Sequence, residues 1–163
     1  MKPATKLHAL ALAAALALSG GAASAGCILP ANSEAMQAEL LSGLNAVRRD
    51  HGLPALKLNA KLDTAAQKHA CDNARRLSIS HVSSDGSHLQ NRLRRAGYRY
   101  ATASENTGRG FVSGTRAVDW WMHSPHHKDN ILMPQTRDIG IGIALSDAPD
   151  ARLHWVIDMG LSG

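Results

Sequence analysis

Apolar residues recur every three or four positions over much of the chain, then switch to strict alternation near its end. Met36, Leu40, Leu44 and Val47 lie on one face of a helix predicted over residues 33–51. Gly52, suited to a left-handed C-terminal position, and Pro54 end it. Asn59 is placed to cap a second helix, in which Leu62, Ala66, Ala70, Asn73 and Leu77 share a face. Asp85-Gly86 makes a turn. Ser87 and Gln90 read as an S-x-x-Q capping box opening a helix that Gly97 closes. Residues 98–111 are polar and glycine-bearing, which predicts an irregular or short extended stretch. A further helix is predicted over residues 115–123, with Val118, Trp121 and Met122 apolar.

Pro125 disfavours the helical conformation at Ser124 but suits the first position of a new helix. Ser124 is therefore the expected N-cap of a short helix running to Leu132. This divides the histidine-rich segment HSPHHKDNIL: His123 belongs to the preceding helix, while His126 and His127 are adjacent residues about 100° apart around the next. At most one of those two can serve a given site.

Ile139, Ile141 and Ile143 alternate with Gly140, Gly142 and Ala144, a strand with one bulky face and one nearly bare face against which another element packs closely. Leu153, Trp155, Ile157 and Met159 alternate likewise. The link SDAPDAR is too short for a helical crossover, so the pair is expected to be antiparallel. Helices first and strands last predict an α+β fold, a small, mostly antiparallel sheet covered by helices.

The extreme N-terminus follows a different pattern. Lys2 and Lys6 precede the apolar run Leu7–Leu18, and Ala23-Ser24-Ala25 follows, the layout of a secretory signal peptide over residues 1–25. The run is too short to predict a transmembrane anchor, and no later segment is apolar enough. Residues 26–163 are expected to form one domain, secreted or periplasmic. Without the leader, 16 basic residues face 13 acidic ones, a mild excess. The most basic segment, NRLRRAGYRY, carries Arg92, Arg94, Arg95 and Arg99; it reads as a solvated helix face, and an exported chain gives little reason to expect nucleic acid as partner. With Cys27 and Cys71 alone available in an oxidising compartment, a disulfide between them is expected. Ser24-Ala25-Gly26-Cys27 also resembles a lipoprotein processing site, the alternative fate for Cys27.

The chain has no H-E-x-x-H, C-x-x-C or Gly-x-Ser-x-Gly and no phosphate-binding glycine loop, so any site must assemble from distant residues. Of nine histidines, His8 falls in the leader, and His51, His69 and His154 are read as structural or solvent-exposed. His81, His88, His123, His126 and His127 remain.

LLSGLNAVRRDHGLPALKLNAKLDTAAQKHA, HVSSDGSHLQNRLRRAGY, SENTGRG, WWMHSPHHKDNIL and IGIGIAL together resemble a bacterial domain of the CAP superfamily, that of cysteine-rich secretory, venom antigen and pathogenesis-related proteins. The resemblance covers about residues 38–160 in the family's order. It implies an α-β-α sandwich with a solvent-filled cleft bearing two histidines and acidic residues. Residue by residue, it points to His81 and His127 as ligands of a divalent metal, zinc first, with Glu105 of the Glu105-Asn106 pair as the acid. Asp119 is the nearest offering for the second acid, and is shorter than the family's glutamate. His126 stands where the family has glycine, and Lys128 where it has arginine. At the third position of a helix, the macrodipole favours neutral His127, as a metal ligand or general base requires. The implied function is a binding module at the cell envelope or outside it, with lipid among the ligands the family allows. The alternative is a metal-assisted hydrolase acting on peptide or cell-wall material with Glu105 as base. Of Trp120, Trp121 and Trp155, core packing is expected for at least two.

Overall fold

The computed structural model describes residues 26–146 and 152–163. The predicted signal peptide and most of the SDAPDAR link lie outside the described residues. Helix α1 spans Ser33–Asp50 and ends at left-handed Gly52. After a two-residue strand, β1 (Lys57–Leu58), comes α2 (Ala60–Arg76), where the Asn59 side chain accepts from the Lys61 N–H. Helix α3 (Leu89–Arg95), strand β2 (Tyr100–Arg109), helices α4 (Gly114–Met122) and α5 (Pro125–Ile131), and strands β3 (Asp138–Leu145) and β4 (Leu153–Ser162) follow.

The four strands lie in the order β1-β3-β4-β2, with β1 and β3 parallel and the other two pairs antiparallel. Each sheet face carries its own core. Ile139, Ile141, Ile143, Trp155, Ile157 and Met159 pack with Met36, Leu40, Leu44 and Trp121 from α1 and α4. On the opposite face, Ala144 and Val156 meet Ala66, Ala70 and Ala74 of α2. This is an α-β-α sandwich, and the bare face predicted for β3 has its cause. A Cβ on Gly140 would overlap the Leu62 carbonyl carbon, and one on Gly142 would overlap the Ala66 oxygen. Only glycine lets the α2 backbone approach so closely.

Because β1 is so short, β3 would present an open edge beyond it. Glutamine and aspartate side chains take the place of the missing strand: Asp63 accepts from Ile141 N–H, Gln67 from Ile143 N–H, and Gln37 donates to the Ile141 carbonyl. Buried Arg48 ties the end of α1 to the α5–β3 connection by donating to the carbonyls of Ile131, Met133 and Thr136. A Cys27–Cys71 disulfide pins the residues before α1 to α2, leaving Cys27 no thiol for a lipid.

Four expectations need correction. The stretch 98–111 holds the ten-residue strand β2, whose polar residues pair along β4 and face the site. Leu77 does not share the inner face of α2; the helix stops before it, and Leu77 adopts a left-handed conformation (φ 51°) and is exposed. Helix α3 begins one residue later than the capping box predicted. Asp85 takes the Ser87 N–H, and Asn91 accepts from the His88 N–H. The basic run is not uniformly solvated, because Arg92 is buried. Trp121 and Trp155 are buried and Trp120 is exposed, in line with expectation.

Candidate functional site

As the second edge of the sheet, β2 presents each face to a different neighbour. Thr107 donates to the Ile79 carbonyl and Arg109 to that of Leu77, which lays the segment after α2 along one side of the strand. On the other side, Asn106 donates to the His127 carbonyl, and Asn130 donates to the Asn106 side chain and the Glu105 carbonyl. Short α5, opened by Ser124 and Pro125 as the sequence predicts, is thereby fixed against the strand. A cleft of about 680 Å³ opens between these flanks, with His81 and His127 in its walls beside Ile79, Arg109, Phe111 and Trp120. Phe111 and Trp120 lie 5.4 Å apart between ring centroids, and Trp120 and His127 lie 5.3 Å apart, so the second imidazole rests on an aromatic shelf.

Glu105 reaches this site from below. Its side chain is only 3% exposed. One oxygen accepts from His81 Nδ1 (2.7 Å), and the other holds the buried Arg92 guanidinium. His69 Nε2 lies 3.8 Å from that second oxygen. Directly across the β2–β4 ladder stands Asp158, which is completely buried. Burial first, and then the neighbouring Glu105 charge, push the Asp158 pKa well above the carboxylate range, so Asp158 is neutral. Burial alone would raise Glu105 as well. The His81 hydrogen bond and the charge of Arg92 outweigh it and keep Glu105 ionised.

The two cleft histidines are driven in opposite directions. The hydrogen bond to Glu105 raises the His81 pKa against the opposing effect of burial. For His127, burial lowers the pKa, assisted by His81 and His126. Helix position favoured a neutral His127, and burial supplies the larger cause. In a pH titration followed by imidazole NMR shifts, His81 is expected to titrate above about 6.5 and His127 below it. The stabilisation from His81–Glu105 is then fully present below about pH 6.5 and lost as pH rises through the folded-state value of His81. Coincident midpoints for the two histidines would contradict this arrangement.

His81 and His127 face the cleft, while Glu105 stands behind His81 and does not line the cleft as the two imidazoles do. Asp119 sits elsewhere, exposed, with Arg116 at 3.5 Å and His123 at 3.6 Å. His126 and His88 are exposed, as is His51, while His154 is buried and bonded to the Ser78 carbonyl. Among the described residues no three His, Cys, Asp or Glu side chains are grouped to hold a metal ion. Sequence reasoning missed Arg92, His69 and Asp158. Arg92 lies three residues after Leu89 and beside Leu93, an inward spacing that was legible but masked by the surrounding arginines.

The family model described as CAP, cysteine-rich secretory protein family, matches residues 41–159. The chain is 28% identical over 113 residues to YkwD and 29% identical over 105 residues to the membrane protein YlbC, both of Bacillus subtilis. These alignments cover 69% and 64% of this chain but only 44% and 30% of those proteins, so the chain spans less than half the length of either relative. Among solved structures, an outer surface protein of Borrelia burgdorferi superposes with a TM-score of 0.74 at 20% identity, covering 85% of this chain and all of that one. An extracellular protein containing an SCP domain from Bacillus anthracis superposes at 0.67 with 25% identity, over 78% of this chain and 40% of that one.

Proposed function

This chain belongs to the CAP family of cysteine-rich secretory proteins, and we propose that it is an exported binding module whose ligand occupies the His81–His127 cleft. Export is supported by the outer-surface and extracellular settings named for its structural neighbours. No helix among the described residues is long and apolar enough to cross a membrane. The observation that carries the reading is the commitment of Glu105. With one oxygen on His81, the other on Arg92 and its side chain only 3% exposed, the carboxylate is held behind His81 and is not among the residues that line the cleft. The Thr107 hydroxyl is likewise engaged, with Ile79. What the cleft offers is recognition: two imidazoles and an aromatic shelf.

The same donors fit a divalent metal in a restricted way. Each histidine uses Nδ1 internally, His81 toward Glu105 and His127 toward the Ser124 hydroxyl (2.7 Å), so Nε2 is the nitrogen left for coordination. A carboxylate behind a ligating imidazole orients it and raises its basicity. His81 and His127 would hold the ion, which would supply a Lewis-acidic anchor for a ligand oxygen, with remaining positions filled by water or ligand. Zinc titration of the mature protein by calorimetry tests this. His81→Ala and His127→Ala are expected to abolish uptake, and Glu105→Gln to weaken it by about 10- to 100-fold. Equal uptake by wild type and both histidine variants would remove the metal from the proposal. Peptide or glycan hydrolysis that is lost in a folded His127→Ala variant would overturn the binding-module reading in favour of a hydrolase.

A further inference from the structure

On the opposite side of Glu105 from His81, a second pocket of about 320 Å³ opens between α2 and the loop leading to α3. Its walls include His69, Ser83, Arg92, Lys68 and Ala65. The His69 ring is fully buried, and its partners determine its tautomer. Nε2 lies 2.8 Å from the Ser80 carbonyl, which can only accept, so Nε2 carries the proton. Nδ1 is then a bare lone pair, and the Ser83 hydroxyl 2.9 Å away donates to it. Burial lowers the His69 pKa, keeping the ring neutral, while the ionised Glu105 at 3.8 Å opposes that shift and would stabilise an imidazolium once formed. Arg92 Nη1 lies 3.4 Å from Ser83 Oγ. A hydroxyl on a base, the base oriented by the Ser80 carbonyl and a carboxylate 3.8 Å from the ring follow the geometric logic of a serine nucleophile, built from residues with no local motif.

We propose that Ser83 is a nucleophile activated by His69 and that this pocket hydrolyses carboxylic esters. Ser83 Oγ attacks the ester carbonyl carbon as its proton passes to His69 Nδ1. The bond to the leaving alkoxide breaks, and that oxygen receives the proton from His69. Water then attacks acyl-Ser83, giving its proton to His69, which returns it to the Ser83 oxygen as the carboxylic acid departs. Arg92 Nη1, 3.4 Å from Ser83 Oγ, is a cation beside the carbon under attack, and the pocket of about 320 Å³ receives the ester.

The distinguishing experiment uses the wild-type mature protein with a fluorophosphonate probe and peptide mapping, together with p-nitrophenyl acetate hydrolysis. A single adduct on Ser83 is expected, with none on neighbouring Ser84, whose hydroxyl is directed to the Asp72 carboxylate. Ser83→Ala should abolish labelling and ester turnover, and folded His69→Gln should slow labelling by about 100-fold. No adduct on Ser83, or labelling of Ser84 at an equal rate, overturns the proposal without reliance on any variant. Labelling at an unchanged rate in folded His69→Gln overturns the assignment of the base. Zinc uptake at His81 and His127 is read separately, so failure here leaves the cleft proposal standing.

Discussion

Replacing Arg92 with methionine is expected to cost about 3–5 kcal/mol of folding stability, the usual penalty for removing one partner of a buried ion pair. Arg92 and Glu105 side chains are 6% and 3% exposed, so the stranded carboxylate would have little water to replace the guanidinium. The His81 hydrogen bond would still support the other oxygen, but the nearest group left to the oxygen that Arg92 holds is buried His69 at 3.8 Å. Arg92 also donates to the carbonyls of His81 and Ser87, so the loop carrying His81 and Ser83 would loosen with it. Urea unfolding of Arg92→Met measures the cost. Adding Glu105→Gln should recover part of the loss, because a neutral amide needs no counter-cation. A penalty below about 1 kcal/mol for Arg92→Met would mean that the pair is not the buried anchor described here.

Replacing both cysteines with alanine is expected to destabilise the protein by about 4 kcal/mol, the chain-entropy estimate for a cross-link spanning 44 residues. The loop it closes contains all of α1 and most of α2, so the effect falls on the unfolded ensemble as much as on any native contact. Denaturant unfolding with and without the bridge gives the difference, and a thiol assay on the exported wild type should find no reactive cysteine. Two free thiols, or an unchanged unfolding midpoint in the double variant, would contradict the assignment.

Much of the fold was legible because its local signals agree with its packing. The face Met36, Leu40 and Leu44 is buried as the helical period required, and Ser124-Pro125 opens α5 where cap chemistry placed it. The Gly140 and Gly142 side of β3 announced a close neighbour before any neighbour was known. The stretch that became β2 was illegible for the opposite reason. Glu105, Asn106 and Thr107 are polar because they build the site, and they satisfy themselves through β4, α5 and the segment after α2, all distant in sequence. Leu77 had the right spacing for the inner face of α2 but falls at the helix end, where the chain turns left-handed and the period no longer applies.

The candidate site divides in the same way. Resemblance to a family selected His81, Glu105 and His127, yet only the folded chain shows that Glu105 lies behind His81, held by Arg92, and not open to ligand. Asp119 could be assigned on neighbouring sequence alone and was carried to the outer surface of α4. His69 and Ser83 lie fourteen positions apart with nothing between them to mark a pair.

Residue spacing by itself determined α1, most of α2, α4, α5 and the β3–β4 pair, with their apolar faces and the place where glycine must admit a neighbour, since those depend on backbone geometry and on side chains a few positions apart. Tertiary structure alone decided which carboxylate is ionised, which imidazole is favoured in its protonated form by a carboxylate and which hydroxyl has a base. Protonation and reactivity depend on burial and on charges brought within a few ångströms from remote parts of the chain, and that information exists only once the chain is folded.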